Sequence, residues 1–389
     1  MIGAGVFAAI APAARAAGAG LLFGLLVAGT VAYCNATSSA RLAALYPESG
    51  GTYVYGRRQL GAFWGYVAGW SFVVGKLASC AAMALTFAHY AAPGLARPLA
   101  AGATVALTAV NLRGIGKTAG LTKLIVAVVL AALAVFVAGA LLGGTVSASH
   151  LSVSHTRPFG ILQAAGFLFF AFAGYARIAT LGEEVADPKR TIPRAIPLAL
   201  GLTLVVYTTV ALAALLAAGS GTLAASRAPL RAALEAGSLH ALAPVVQVGA
   251  AVASLGVLLS LLAGVSRTIF AMASNADLPR PLAAVDRRRR IPHRAELAAG
   301  AVVVALVSLA DVRSAIGFSS FCVLLYYAIA NASALTLRGS HAASVVALGG
   351  LLGCLVLAFT LPLVAVAAGA AVVAAGIAVY ALTRLLQPA

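Results

Sequence analysis

Two short stretches of this chain could do chemistry through their backbone: Ile2-Gly3-Ala4-Gly5 near the start, and Phe170-Ala171-Phe172-Ala173-Gly174-Tyr175 near the middle. Glycine adopts unwound backbone angles that other residues resist, so a helix can break at such a place. A break frees N–H groups at the positive end of one half-helix, which suit a carboxylate, and carbonyls at the other, which suit an ammonium. In an apolar setting, freed peptide groups are tolerated where they line a cavity or hold a ligand. Phe170, Phe172 and Tyr175 would then enclose the rest of a small solute. The same small residues would also let two helices pack closely. The residues alone leave both readings open.

Among the charged residues, Lys76 stands out because Phe72-Val73-Val74-Gly75 precedes it and Leu77-Ala78-Ser79 follows. An ammonium amid such a run is costly and marks ion coupling by default, the alternative being a lysine satisfied by a carbonyl. Enzyme chemistry finds little support. His89, His150, His155, His240, His293 and His341 are scattered near loops, and HExxH and GxSxG are absent. Cys34, Cys80, Cys322 and Cys354 lie far apart without metal-ligand spacing, so they read as small packing residues. No metal and no cofactor are expected. Ser260, Ser266 and Thr268 have hydroxyls that could face a sodium ion, yet serines on helices commonly bond their own backbone.

The elements that must position these residues follow from composition. Of 389 residues, 62% are hydrophobic and only 9% are charged, with a mean hydropathy of +1.03. A soluble domain carries about 25% charge, so the expected class is an all-α integral membrane protein in a lipid bilayer. Cutting the apolar runs at charged or Pro/Gly-rich breaks predicts twelve helices near 1–14, 18–42, 61–91, 98–112, 119–144, 160–182, 192–218, 242–272, 295–311, 315–337, 343–363 and 365–386, with the first and sixth interrupted. Tyr46–Thr52 is turn-rich and expected to fold back at the interface. The net charge of +17 does not point to nucleic acid, because the basic residues flank apolar runs. With the chain starting inside, eighteen Lys and Arg fall on inner loops or ends and six on outer ones, which predicts a multi-pass protein of the cytoplasmic membrane with both termini cytoplasmic. Arg287-Arg288-Arg289-Arg290 fits that role, set against anionic lipid.

Three stretches carry a family resemblance. Ile2-Gly3-Ala4-Gly5-Val6-Phe7 is similar to an IGxGIF signature. The run Phe169–Tyr175, followed by Glu183-Glu184-Val185-Ala186-Asp187-Pro188-Lys189-Arg190-Thr191-Ile192-Pro193-Arg194-Ala195-Ile196, resembles FFAFxGF…EExxNPxRxIPxAI. Ser266–Ala273 with Asp277-Leu278-Pro279 is like RxxFAMARDGxLP. Their order and spacing resemble the amino acid–polyamine–organocation (APC) superfamily of amino-acid permeases over essentially the whole chain.

The resemblance implies a LeuT-like 5+5 inverted-repeat core at 1–338, with repeats of about 1–145 and 159–338, and two added C-terminal helices at 339–389. Paired interruptions in the first helix of each half mark a midplane substrate site. It would comprise Ile2, Gly3, Ala4, Gly5, Phe170, Ala171, Phe172, Gly174 and Tyr175, and an amino acid's zwitterionic head would supply both charges. The implied function is secondary active transport of amino acids or related amines, with the proton as coupling ion. Some proton-coupled relatives carry a coupling lysine in helix 5. Here that helix is apolar apart from Lys123 near its cytoplasmic end, so Lys76 and Lys123 are the coupling candidates. Where relatives have an acid after the aromatic pair, this chain has Ala176. Arg177 would face the inner vestibule or, the favoured reading, pair with Glu183 or Glu184, in a gating or structural role. Relatives carry about another half-helix ahead of the signature. The expectations are therefore a start codon assigned too far downstream, or a truncated copy acting as a membrane sensor or partner subunit.

Overall fold

The computed structural model of the chain describes residues 2–46, 50–114, 119–154, 156–175, 188–286, 289 and 291–385, with 119, 175, 188–190, 192 and 193 described as backbone only. Among them it is all-helical, apart from an isolated antiparallel bridge between Asp286 and Ile291. In chain order come α1 (Gly5–Ala17), α2 (Leu21–Leu45), α3 (Thr52–Gln59), α4 (Ala62–Ala91), α5 (Ala96–Leu112), α6 (Ala119–Leu142) and α7 (Pro158–Phe172). The rest are α8 (Pro188–Ala225), α9 (Pro229–Glu235), α10 (Ala243–Ser274), α11 (His293–Leu309), α12 (Val312–Leu335), α13 (His341–Thr360) and α14 (Leu363–Leu385).

Every one of the twelve apolar segments expected from sequence contains a helix. The two short ones, α3 and α9, are additional. The fold-back expected at Tyr46–Thr52 begins its helix at Thr52, one turn later, and 47–49 lie outside the described residues. Nine stretches among the described residues are long and apolar enough to cross a bilayer, counting Gly5–Leu45 as one; α7 is shorter. That joint stretch is broken at Gly18, whose φ of +56° turns the chain from α1 through a short 3-10 turn into α2. Gly219, at φ +69°, interrupts α8 in the same manner.

The packing follows a regular plan. α1 lies on α7, α2 on α8, α4 on α10 and α5 on α11, so the long helices from α1 to α5 touch those from α7 to α11 in the same order. A short helix, α3, stands between α2 and α4, and another, α9, between α8 and α10. At the centre, α4 packs against both α10 and α12. The most apolar window of α4 is 89% buried, against 11% for α14 at the periphery. Without a hydrophobic drive between helices in lipid, small residues set this closeness. Gly75, for example, brings α4 so near α12 that an added Cβ would stand 2.8 Å from Cys322 Cβ.

Candidate binding site between two interrupted helices

The sequence gives α1 no side-chain cap: Ala4 stands at its N-cap and Gly5 at its first helical position. The amides of its first turn therefore have no intrahelical acceptor, and Phe7 N donates to Ala4 O at 3.1 Å. α7 ends at Phe172 and passes into a 3-10 turn over Ala173–Tyr175. The two ends meet. A Cβ placed on Gly5 would lie 2.5 Å from Ala171 Cα and 2.8 Å from its Cβ. At the far end of the same pair, a Cβ on Gly160 would lie 2.5 Å from Ala16 O. The helices are thus antiparallel and in glycine-mediated contact at both ends, with the start of α1 at the same level as the end of α7.

The carbonyls freed where α7 stops are taken up by side chains from other helices. Tyr207 on α8 donates its hydroxyl to Ala171 O at 3.3 Å, with the Gly3 backbone also in hydrogen-bonding reach. Lys76, buried on α4, donates to Ala173 O at 3.5 Å, and its ammonium lies 6.0 Å from the centre of the Phe72 ring. Tyr90 donates to Phe7 O at 3.1 Å and accepts from Leu230 N at 3.3 Å. Aromatic rings surround this layer, with Phe172 against Tyr207 at 5.4 Å and Phe7 edge-on to Tyr90 at 5.8 Å. One helix beginning, one helix end, an ammonium and two phenols therefore share a buried layer.

The residues expected at this site fall as follows. Gly3, Ala4, Gly5, Ala171 and Phe172 are buried, Ile2 and Phe170 are half-buried, and Gly174 is exposed. Tyr175 belongs to the 3-10 turn, and its side chain lies outside the described residues. Lys76 joins the site. Lys123 is exposed on the first turn of α6, a helix packed on α8 and α10. Arg177, Glu183 and Glu184 lie outside the described residues. Ser266 and Thr268 donate to Ala263 O and Gly264 O of their own helix. The four cysteines are free, and among the described residues no group of three His, Cys, Asp or Glu could hold a metal. Tyr207 and Tyr90 are the partners that sequence reasoning missed. A tyrosine inside an apolar span needs a hydroxyl partner, and Leu204-Val205-Val206-Tyr207 carried that signal.

A second polar node forms where α10 ends. Asp277 N bonds Met272 O and Ala276 N bonds Ala273 O, a C-cap that places Ala276 at φ +58°. Glycine is the usual residue at that position, and the family pattern has its glycine there. The turn aims Asp277 at α3. Its carboxylate, 1% exposed, accepts from Tyr53 and from Arg57, each at 2.7 Å, and Arg384 of α14 stands 3.6 Å away. Burial, and then the Asp277 carboxylate, push the Tyr53 phenol well above its ordinary range, so it remains a donor.

The motif positions, the junction of α1 with α7 and the covered length agree with one comparison: the family model described as amino acid permease matches residues 1–386. The chain belongs to the amino acid permease family. An uncharacterized transporter of Mycobacterium tuberculosis is 61% identical over 389 residues, covering 99% of this chain and 88% of the relative. The branched-chain amino acid permease BcaP of Bacillus subtilis is 24% identical over 339 residues, 79% of this chain and 71% of the relative. The methylthioribose transporter of the same organism is 24% identical over 374 residues, 88% of this chain and 78% of the relative. This permease is thus similar, at equal identity, to relatives named for an amino acid and for a thiosugar.

Proposed function

We propose that this permease is a secondary active transporter that moves amino acids or related amines across the cytoplasmic membrane by alternating access. The observation that carries the reading is the meeting of Gly5 with Ala171, which ends two helices inside one buried layer. Peptide dipoles there would hold the carboxylate and the ammonium of a zwitterion. The packing of α1 on α7, α2 on α8, α4 on α10 and α5 on α11 supports a pair of five-helix repeats inverted about an axis in the membrane plane. On this reading the chain has twelve spans with both termini cytoplasmic, and α13 and α14 follow the core.

The coupling ion is the proton, exchanged at Lys76. A protonated Lys76 holds Ala173 O by a charge-assisted hydrogen bond. A neutral one holds it more weakly and no longer repels the solute's ammonium, which can then take that carbonyl. Side-chain selectivity would come from Phe170, Phe172 and their neighbours. Uptake of labelled amino acids into proteoliposomes, with and without an imposed pH gradient, tests the proposal. Accumulation that follows the gradient is the expected result. Vesicles that take up no amino acid or amine under either condition would overturn it.

A further inference from the structure

The end of α1 remote from Gly5 carries a feature that the transport reading does not use. An open cleft of about 460 Å³ lies between the last turn of α1, the first turn of α7 and the loop before it, and its lining includes Arg15, Arg157, Thr156, Gln163 and Ser220. No carboxylate is among its lining residues. Three of these groups already donate, Thr156 to Ala17 O, Gln163 to Thr360 O, and Arg15 through one amino group to Ala224 O. Among the described residues the Arg157 guanidinium has no partner. Phe159 and Gly160, in the first turn of α7, also line the cleft, and such amides lack intrahelical acceptors.

An independent observation concerns charge. Arg15 and Arg313, from the outer ends of α1 and α12 on the charge-derived orientation, both donate to one acceptor, Ala224 O, at 3.2 and 3.5 Å. Two guanidiniums sharing one carbonyl repel each other, and Arg313 Nε is buried with no hydrogen-bond partner. The nearby Asp311, whose carboxylate caps α12 by accepting from Ser314 N at 2.8 Å, offsets part of the Arg313 charge but does not line the cleft. Among the described residues, arginine outnumbers carboxylate here, and the cleft itself is lined by arginine without an acid.

We propose that this cleft binds an oxyanion, a carboxylate or phosphate group held between Arg157 and Arg15. Planar guanidinium forks match such groups through paired charge-assisted hydrogen bonds. The group could belong to a free solute or to the headgroup of a lipid, and the experiment separates them. Purified protein is titrated with sodium phosphate and with sodium acetate by calorimetry, in chloride of matched ionic strength. Separately, native mass spectrometry counts phosphatidylglycerol retained by the protein. R157Q removes a guanidinium that makes no hydrogen bond among the described residues, so it should fold. R157K keeps the charge and loses the fork.

Binding to the wild type in either arm, weakened about tenfold in R157Q and less in R157K, supports the site, a loss of about 1.4 kcal/mol. Response to the salts assigns a free oxyanion, and response to the lipid alone assigns a headgroup. Equal binding by wild type and R157Q, or no binding by the wild type in both arms, would overturn the proposal. None of these readouts requires transport, so failure of the cleft and failure of the transport reading are separable.

Discussion

The Lys76 ammonium and the Ala173 carbonyl, 97 residues apart, meet at 3.5 Å where α7 gives way to its 3-10 turn. A lysine carried by a central, largely buried helix therefore touches the place where a second helix loses its regular hydrogen bonds. Lys76→Met should keep the volume and remove the charge. The expected outcome is loss of gradient-driven uptake in proteoliposomes with retained folding, judged by a monodisperse elution profile. Proton-driven uptake equal to the wild type would remove Lys76 from the mechanism.

At Gly5 a methyl group would collide with the backbone of Ala171, not with a side chain that can turn away. Overpacking of this kind costs about 1–3 kcal/mol. Gly5→Ala should lower the thermal midpoint and abolish transport. Gly201→Ala is the control, because a Cβ there meets nothing within 4 Å, and replacing a mid-helix glycine should add about 0.5–1 kcal/mol. A Gly5 variant as stable and active as the control would show that the contact is dispensable.

The reverse substitution is favourable at Ala276. Its φ of +58° is a conformation that glycine adopts freely, and a non-glycine residue there costs about 1–2 kcal/mol. Ala276→Gly should therefore raise the thermal midpoint while leaving uptake intact. A lower midpoint would mean that the entropy glycine adds to the unfolded chain outweighs the strain.

Tyr53 gives the node at Asp277 a signature in pH. Burial raises its phenol above the ordinary value, so folding favours the neutral form. That contribution is complete below the unfolded pKa of about 10 and disappears as pH rises past it. Melting curves between pH 8 and 11 should show the wild type losing stability near the top of the range, and Tyr53→Phe losing less. Phe leaves Asp277 one donor short, so this variant should begin about 1–3 kcal/mol less stable at pH 8. Identical pH profiles for the two proteins would separate Tyr53 from Asp277.

Much of the fold was legible because lipid demands long apolar runs, and their ends are written in arginine, proline and glycine. The break at Gly18 and the stop of α7 after Phe172 both lie where small residues interrupt such runs. Lys76 was visible as a charge without neighbours of its own kind. Its acceptor was not, since a carbonyl looks alike at every residue and only folding reveals which one is freed. Tyr207 and Tyr90 escaped notice because an apolar span hides a phenol well, and their acceptors lie 36 and 83 residues away. The tie of Arg57 and Tyr53 to Asp277 spans more than two hundred residues, which no local pattern encodes.

Because Gly160 abuts Ala16 and Gly5 abuts Ala171, α1 and α7 touch at both ends with no slack for one to slide along the other. On the proposed alternating access, such a pair would swing as one rod. Rocking of that kind would bend the chain at Gly18 on one side and at Ala173–Tyr175 on the other, where Lys76 holds Ala173 O.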